Sequence, residues 1–187
     1  MADIFIPYPE RKNVMQKPRP LFIMLVLFLW MVLSGTESRA EDYAIAPVQM
    51  QAALFMKLLS FHEDISGGGD ISIHIVGAPD FAAEMQAIIG EKIGNAKLAA
   101  VSESQELPSQ KPSVIYAGDV SKLDAILRYT RENSVLSITG IPKLVLKGVS
   151  LGIGVAGGKP KILLNISSSK QEGVNWNHAI LKVSTTF

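Results

Sequence analysis

Apolar residues recur at helical spacing between residues 47 and 62 and form two neighbouring stripes. Pro47 stands at the start of this segment, where the missing N–H of a proline is tolerated. The pattern predicts a helix with more than half of its circumference apolar, which packs on two sides within its own domain or shares one side with another chain. The first stripe consists of Val48, Ala52, Phe55 and Leu59, and the second of Met50, Leu54, Leu58 and Phe61.

Strands alternating with helices are predicted from residue 70 onwards. Residues 70–76 alternate polar and apolar positions, which is the pattern of a half-buried strand. A helix is predicted at residues 78–90, with Phe81, Met85, Ile88 and Ile89 on its buried side. The remaining predictions are strands at residues 97–102, 113–117 and 135–139, a loop at residues 105–112, and a helix at residues 121–132 that begins with a capping box of Ser121 and Asp124.

The last third of the chain has a different pattern. Apolar runs at residues 151–155 and 161–165 flank a turn that contains Gly157, Gly158 and Pro160, which predicts an antiparallel hairpin. Short helices are predicted at residues 167–172 and 177–183. The whole order predicts one α/β domain over residues 41–187, with a mostly parallel sheet flanked by helices on both faces and a C-terminal antiparallel hairpin.

The first forty residues have the composition of a secretory signal peptide. A basic segment precedes an uncharged apolar run at residues 21–33, and the small residues Ser38 and Ala40 frame a cleavage site after Ala40. A membrane-spanning helix needs about 20 apolar residues, which this run does not supply. We therefore expect export, removal of residues 1–40 and a periplasmic mature protein. The basic residues are Arg11, Lys12, Lys17 and Arg19.

Charge and cysteine content exclude several classes of function. The chain contains 18 Lys+Arg against 17 Asp+Glu, and removal of residues 1–40 leaves a formal net charge of −1. Binding to a nucleic-acid backbone requires a strong Lys/Arg excess, so no nucleic-acid partner is expected. The absence of cysteine excludes disulfides, thiolate metal sites and a cysteine nucleophile. The core must therefore be held by packing alone.

One glycine motif matches the dinucleotide-binding fingerprint in spacing only. Gly152, Gly154 and Gly157 have the required separations, but the motif needs a strand before it and a helix after it, so that a helix N-terminus meets the pyrophosphate. Here Lys159, Pro160 and another predicted strand follow. A glycine-containing strand that enters a turn is the better interpretation. Pro160 also occupies the place of the hydroxyl residue that a Walker-type phosphate loop requires.

No catalytic constellation, cofactor site or metal site is predicted. The three histidines share no metal-ligand spacing, and each is assigned a structural or surface role. Asp119 and Asp124 form a close carboxylate pair near a strand end, where open α/β sheets bind ligands, but helix capping accounts for Asp124. Trp176 either covers the end of the core, which is favoured, or anchors a protein interface. The histidines are His62, His74 and His178.

Several stretches of the predicted mature chain resemble the YfiR family of small periplasmic proteins. Residues 52–61 look like the opening helix of that family, and residues 73–81 look like its first strand and the following turn. The most specific similarity is the order and spacing at the end of the chain. There the matching segments are residues 135–142, a glycine-rich hairpin, and residues 162–166, 173–175 and 179–182.

The resemblance implies a regulator that is not an enzyme. It implies binding to the periplasmic sensor domain of an inner-membrane diguanylate cyclase, or a similar sensor protein, and repression of that protein, which lowers cyclic di-GMP. It further implies release of the cyclase by an outer-membrane lipoprotein that sequesters the repressor, and assembly as a homodimer. Repression requires tighter binding to the inactive conformation of the cyclase than to the active one.

A second hypothesis is a periplasmic protein that binds a small ligand. The ligand would occupy a cleft at the strand ends near residues 78–80 and 118–121. A buried pocket with convergent polar groups would favour this hypothesis. A third class, an enzyme, finds no support in the residues present.

Overall fold

The computed structural model describes residues 42–187 of the 187-residue chain. The predicted signal peptide lies outside the described residues, including its apolar run at residues 21–33 and the cleavage position after Ala40. Export and cleavage therefore stay predictions. None of the helices within residues 42–187 combines the length and the apolar character of a membrane span.

Helices and strands alternate through the described part of the chain. The helices are α1 (Val48–Leu58), α2 (Glu63–Ser66), α3 (Pro79–Ala87), α4 (Leu123–Asn133), α5 (Lys143–Leu146) and α6 (Ile166–Gln171), and 3₁₀ turns cover Leu59–Phe61, Val120–Lys122 and His178–Lys182. The strands are β1 (Gly69–Val76), β2 (Lys92–Ile93), β3 (Ala96–Ser104), β4 (Val114–Ala117), β5 (Leu136–Thr139), β6 (Leu151–Ala156), β7 (Lys159–Leu164) and β8 (Ser184–Thr186).

The strands of residues 42–187 form one mixed sheet in the order β2-β3-β1-β4-β5-β6-β7-β8. The central pairs, from β3 to β6, are parallel. β6 and β7 form an antiparallel hairpin, β2 pairs antiparallel with β3, and β8 runs parallel to β7. The predicted fold class, a mostly parallel sheet with a C-terminal antiparallel hairpin, is confirmed.

Each face of the sheet carries a hydrophobic core. α1 and α3 cover the larger core through Phe55 and Phe81, both fully buried, and α4 covers the smaller core through Ile126. Alternation along β1 distributes its side chains between the two faces. As predicted, Ile71, Ile73 and Ile75 share one face and enter the larger core, whereas Val76 enters the smaller one.

The predicted first helix is confirmed as α1 and the 3₁₀ turn after it. In the first apolar stripe, Phe55 and Leu59 are fully buried. In the second stripe, Met50 and Leu54 are only half-buried and pack at the margin of the larger core. One side of α1 therefore keeps apolar side chains within reach of solvent.

The third helix ends earlier than predicted. α3 stops at Ala87, and Ile88 has non-helical angles of φ −113° and ψ 17°. Gly90 then adopts a left-handed conformation with φ 99°. Because the helical periodicity stops before Ile89, this side chain is 47% exposed instead of buried as predicted.

Helix capping also differs from prediction. Asp119, and not Ser121, caps the start of the α4 region, because a 3₁₀ turn precedes α4 and moves the first helical N–H groups towards the N-terminus. The Oδ1 atom of Asp119 accepts a hydrogen bond from the Ser121 N–H at 2.8 Å. At α6 the cap is Asn165, whose Oδ1 accepts from the Ser168 N–H at 2.9 Å.

Several short elements were not predicted. β2, β8, α2 and α5 contain two to four residues each, too few for a hydrophobic period to emerge. The strand predicted weakly at residues 97–102 is β3, which extends over nine residues. The helix predicted at residues 177–183 is a 3₁₀ turn.

Candidate functional site

A crevice opens where the carboxyl ends of β1, β4 and β5 meet. From β1 the chain continues to β3 on one side, and β4 lies on the other side of β1, so the sheet has its switch point between β1 and β4. Open α/β sheets bind ligands at such points. The crevice has a volume of about 260 Å³ and lies at the position that the small-ligand hypothesis predicts. Its walls include Ile45, Gln51, Ala78, Tyr116, Gly118 and Gly140.

The buried polar groups of this crevice bond to one another. Gln51, which is 2% exposed, donates from Nε2 to the carbonyl oxygen of Ala46 at 2.7 Å. Its Oε1 accepts from the Tyr116 hydroxyl at 2.8 Å, and that hydroxyl oxygen accepts from the Gly140 N–H at 3.1 Å. A Cβ atom at Gly140 would overlap Gln51 Oε1, so this close approach requires glycine. These hydrogen bonds therefore satisfy the buried polar groups of the crevice wall.

Aromatic side chains fill the floor of the crevice. Tyr116 stacks on Phe81 with ring centroids 4.0 Å apart, and Phe55 meets both rings edge-on. Burial raises the pKa of Tyr116 to about 12, against the smaller opposing effect of the hydrogen bond from Gly140. The hydroxyl is therefore neutral at physiological pH and acts as a structural donor. This arrangement weighs against the small-ligand hypothesis, which needs polar groups that converge on a ligand.

The segment before α1 covers the same crevice. Ala44 pairs with Val155 of β6 through two backbone hydrogen bonds, one in each direction, both of 2.9 Å. Gly154 permits the approach, because a Cβ atom there would lie 2.9 Å from the Tyr43 Cβ. Ile45 then spans the crevice wall with 63% of its surface exposed.

A buried carboxylate ties together elements of the smaller-core face. Glu172, 1% exposed, follows α6. Its Oε1 accepts from the Thr130 hydroxyl at 2.7 Å, and its Oε2 accepts from the Ser137 N–H at 3.0 Å and the Ser150 hydroxyl at 2.5 Å. Burial raises the pKa of Glu172, and these hydrogen bonds partly oppose the shift. Because every oxygen has donors from the fold itself, the carboxylate has a structural role.

Two of the histidines also have structural partners. His74, 6% exposed, places Nδ1 at 2.8 Å from the Ser102 hydroxyl and Nε2 at 2.9 Å from the Glu106 carbonyl oxygen, which fixes the loop after β3. His62 caps α2 by accepting from the Asp64 N–H at 3.2 Å, and burial lowers its pKa. His62 also packs edge-on against Trp176.

Trp176 and the carboxylate pair are not brought into a reactive cluster. Trp176 is half-buried against the larger core, and its Nε1 has no hydrogen-bond partner within the described chain. Hydrogen bonds from the Ser121 hydroxyl and N–H lower the pKa of Asp119, which is engaged in capping, while Asp124 lies in the first turn of α4. In residues 42–187, no three His, Asp or Glu side chains are grouped so that they could hold a metal ion.

The outer side of α1 borders an open groove of about 430 Å³ beside β2. Met56 and Leu54 are half-buried there, and Ala53 is exposed. Methionine adapts to irregular partners and is enriched at protein interfaces. The groove therefore has the composition of a docking surface. We call it the α1 groove, and its walls are Ala53, Leu54, Met56, Lys57, Ser60, Lys92 and Gly94.

Charge is divided between two halves of the sheet. Residues 42–132 form β1 to β4, and we call them the acidic half, because they contain 12 Asp+Glu against 7 Lys+Arg. Residues 133–187 form β5 to β8, and we call them the basic half, because they contain 6 lysines and a single carboxylate side chain, the buried Glu172. The lysines are Lys143, Lys147, Lys159, Lys161, Lys170 and Lys182.

Comparison with known proteins places this domain in a family. The sequence profile of the YfiR/HmsC-like family matches residues 48–185, which contain both cores of the sheet. The chain belongs to the YfiR/HmsC-like family. Among solved structures, a conserved domain protein from Vibrio cholerae O1 biovar El Tor is similar with a TM-score of 0.50 at 14% identity, over 76% of this chain and 60% of that chain. At this identity the likeness shows the fold alone. Among curated proteins, none matches this sequence.

The YfiR/HmsC-like family consists of periplasmic regulators of diguanylate cyclase signalling. The family is regulatory rather than catalytic. The buried polar groups described above, around Gln51 and Glu172, form hydrogen bonds within the fold.

Sequence reasoning missed the two buried polar networks. Gln51 lies on α1 away from the polar positions Gln49, Lys57 and Ser60. A polar residue outside the polar side of the helix was the signal that could have indicated this network. The sequence does not indicate that Glu172 is buried, because a carboxylate at the end of a short helix is normally exposed. Its donors lie 22 to 42 residues away in sequence, so only the fold brings them together.

Proposed function

We propose that this protein is an exported regulator that binds the periplasmic sensor domain of a membrane diguanylate cyclase, or of a similar sensor protein, and represses it. The observation that supports this proposal is the family match over residues 48–185. Repression follows if the protein prefers the inactive conformation of the sensor. A preference of about 5- to 150-fold is typical of such coupling.

The α1 groove is the surface we assign to the sensor domain. Its half-buried Leu54 and Met56 provide an apolar centre, and the exposed Lys57 and Lys92 provide a polar rim. Stable protein interfaces combine such a centre with such a rim. A large charged side chain at the exposed Ala53 would block the groove while leaving the core intact.

Affinity capture tests the proposal. The unit of residues 41–187 contains both cores and serves as bait on solubilised membranes. We expect it to retain a membrane protein with a cyclase output domain. Ala53→Arg should abolish retention, whereas Ala83→Arg, an equivalent change at an exposed position of α3, should not. Repeated failure to capture a membrane sensor would contradict the proposal. Equal capture by both variants would contradict the assignment of the α1 groove.

Export is the second part of the proposal. If residues 1–40 are removed as proposed, the protein isolated from the periplasm begins at Glu41. The mass of the intact protein from a periplasmic extract decides this point. A mass that includes residues 21–33 would indicate an uncleaved leader instead.

A further inference from the structure

Lysines and one apolar side chain share an exposed surface of the basic half. α5 and the residue after it place Lys143, Leu146 and Lys147 at positions i, i+3 and i+4, which lie on one side of a helix. All three are exposed, and Leu146 is 61% exposed although it is large and apolar. Within residues 42–187, neither Lys143 nor Lys147 forms an ion pair; the pairs Lys97–Asp70 and Lys122–Glu106 both belong to the acidic half.

The hairpin adds two further lysines to this surface. Lys161 lies directly opposite Gly154 in the β6–β7 ladder, and directly opposed residues project from the same face of a sheet. That face is the one covered by α5, because a Cβ atom at Gly154 would lie 2.9 Å from Cγ of Pro142, the residue before α5. Lys159, two residues from Lys161, projects to the same side and is exposed. We call Lys143, Leu146, Lys147, Lys159 and Lys161 the lysine face.

We propose that the lysine face docks the protein onto an anionic phospholipid surface, with Leu146 entering the headgroup region. Its charged residues are all lysine, a flexible and strongly hydrated point charge that suits a diffuse layer of phosphates. Protein interfaces instead favour Arg and aromatic residues and are depleted in Lys. The composition of the face therefore favours a lipid surface over an acidic protein.

The attraction is local, because the unit of residues 41–187 has a formal net charge of −1. Residues 133–171, which include all five residues of the lysine face, contain no carboxylate side chain. Screening limits electrostatic reach to about 10 Å at 0.1 M salt, so much of the acidic half does not oppose docking. Docking leaves the α1 groove accessible, because α1 lies on the larger-core face and Leu144 of α5 on the smaller-core face.

Vesicle binding tests this proposal without any cyclase, so its result is independent of the capture experiment. The unit 41–187 is mixed with vesicles of phosphatidylglycerol and phosphatidylcholine in equal parts, or of phosphatidylcholine alone, and bound protein is measured by sedimentation at low and high salt. We expect binding to the anionic vesicles alone, weakened by salt. Replacing both lysines in Lys143→Gln/Lys147→Gln should weaken binding about 25-fold, since each lysine contributes about five-fold.

The matched control is Lys97→Gln/Lys111→Gln, which removes the same charge from exposed positions of the acidic half outside the α1 groove and should leave vesicle binding unchanged. Leu146→Trp combined with Trp176→Phe leaves one tryptophan as a fluorescent reporter, whose emission should shift to the blue on anionic vesicles if position 146 enters the headgroups. No binding to anionic vesicles at low salt would overturn the proposal, as would an equal loss in the control. Unchanged vesicle binding by Lys143→Gln/Lys147→Gln, together with loss of a captured acidic protein, would assign the face to a protein partner instead.

Discussion

The acidic and basic halves of the sheet are stabilised in different ways. In the acidic half, parallel strands are covered by long helices, and the rings of Phe55, Phe81 and Tyr116 occupy the centre of the larger core. In the basic half, the strands end in a hairpin, the helices are short, and the buried carboxylate of Glu172 connects β5, the approach to β6 and α4. A cluster of aromatic rings distinguishes the first half, whereas a buried carboxylate network distinguishes the second.

The difference also separates the two surfaces to which we assign partners. The α1 groove belongs to the acidic half and is apolar at its centre. The lysine face belongs to the basic half and is dominated by uniform charge. A single small domain can thus present one surface to a protein and another to a lipid layer, because charge is segregated along the chain.

Removing an aromatic ring from the acidic half should have the largest effect. Phe81→Ala leaves a cavity among Phe55 and Tyr116, and we expect the free energy of unfolding to fall by about 3–5 kcal/mol. Urea denaturation followed by circular dichroism measures this loss. Phe187→Ala, at a side chain that is 43% exposed, is the control and should cost far less. Equal losses would show that the ring cluster is not the organising feature of this half.

Removing the carboxylate from the basic half should have the next largest effect. Glu172→Leu leaves the buried Ser137 N–H without an acceptor, and we expect the free energy of unfolding to fall by about 2–3 kcal/mol. Glu132→Leu, at an exposed carboxylate, should change it by less than about 0.5 kcal/mol. A neutral or stabilising Glu172→Leu would mean that desolvation of the carboxylate outweighs its hydrogen bonds.

The boundary between the halves should be sensitive to one methyl group. Gly140→Ala brings a Cβ atom into Gln51 Oε1, and we expect the free energy of unfolding to fall by about 1–3 kcal/mol. Since Gln51→Ala removes the overlapping atom, the double variant should lose less than the sum of the two single losses. Strict additivity in urea denaturation would contradict the contact.

The smallest expected effect is a pH dependence of the unfolding free energy that arises from Glu172 in the basic half. Burial raises the pKa of Glu172 above its ordinary value of 4.5, so the native state binds this proton more readily than the unfolded state. The resulting stabilisation is complete below about pH 4.5 and is lost as the pH rises through the raised native pKa. The unfolding free energy of the natural protein relative to Glu172→Gln should therefore fall as the pH rises above about 4.5. A rise over that range would contradict the sign of the shift.

The length of an element decided how well the sequence predicted it, for a physical reason. The strand at residues 70–76 and the helix at residues 47–62 are long enough for their hydrophobic period to emerge, and both are confirmed to within one residue at each end as β1 and as α1 with its 3₁₀ turn. α5 and β8 consist of four and three residues and depend on their neighbours for their structure.

The candidate site was predictable in position but not in content. The predicted strand ends near residues 78–80 and 118–121 indicated a crevice, which the structure contains. The hydrogen-bond network in the wall of that crevice joins Gln51, Tyr116 and Gly140, which are up to 89 residues apart and meet only in the folded chain. The pairing of Ala44 with Val155 is equally non-local and has no local sequence signature.

Cyclic di-GMP in living cells gives the most direct test of the proposed regulation. The amount of this nucleotide is measured in cells that lack the protein and in cells that carry the natural chain, Ala53→Arg or Ala83→Arg. We expect the amount of cyclic di-GMP to rise when the protein is absent. The natural chain and Ala83→Arg should restore the original level, whereas Ala53→Arg should not. An unchanged level in cells that lack the protein would contradict repression of a diguanylate cyclase.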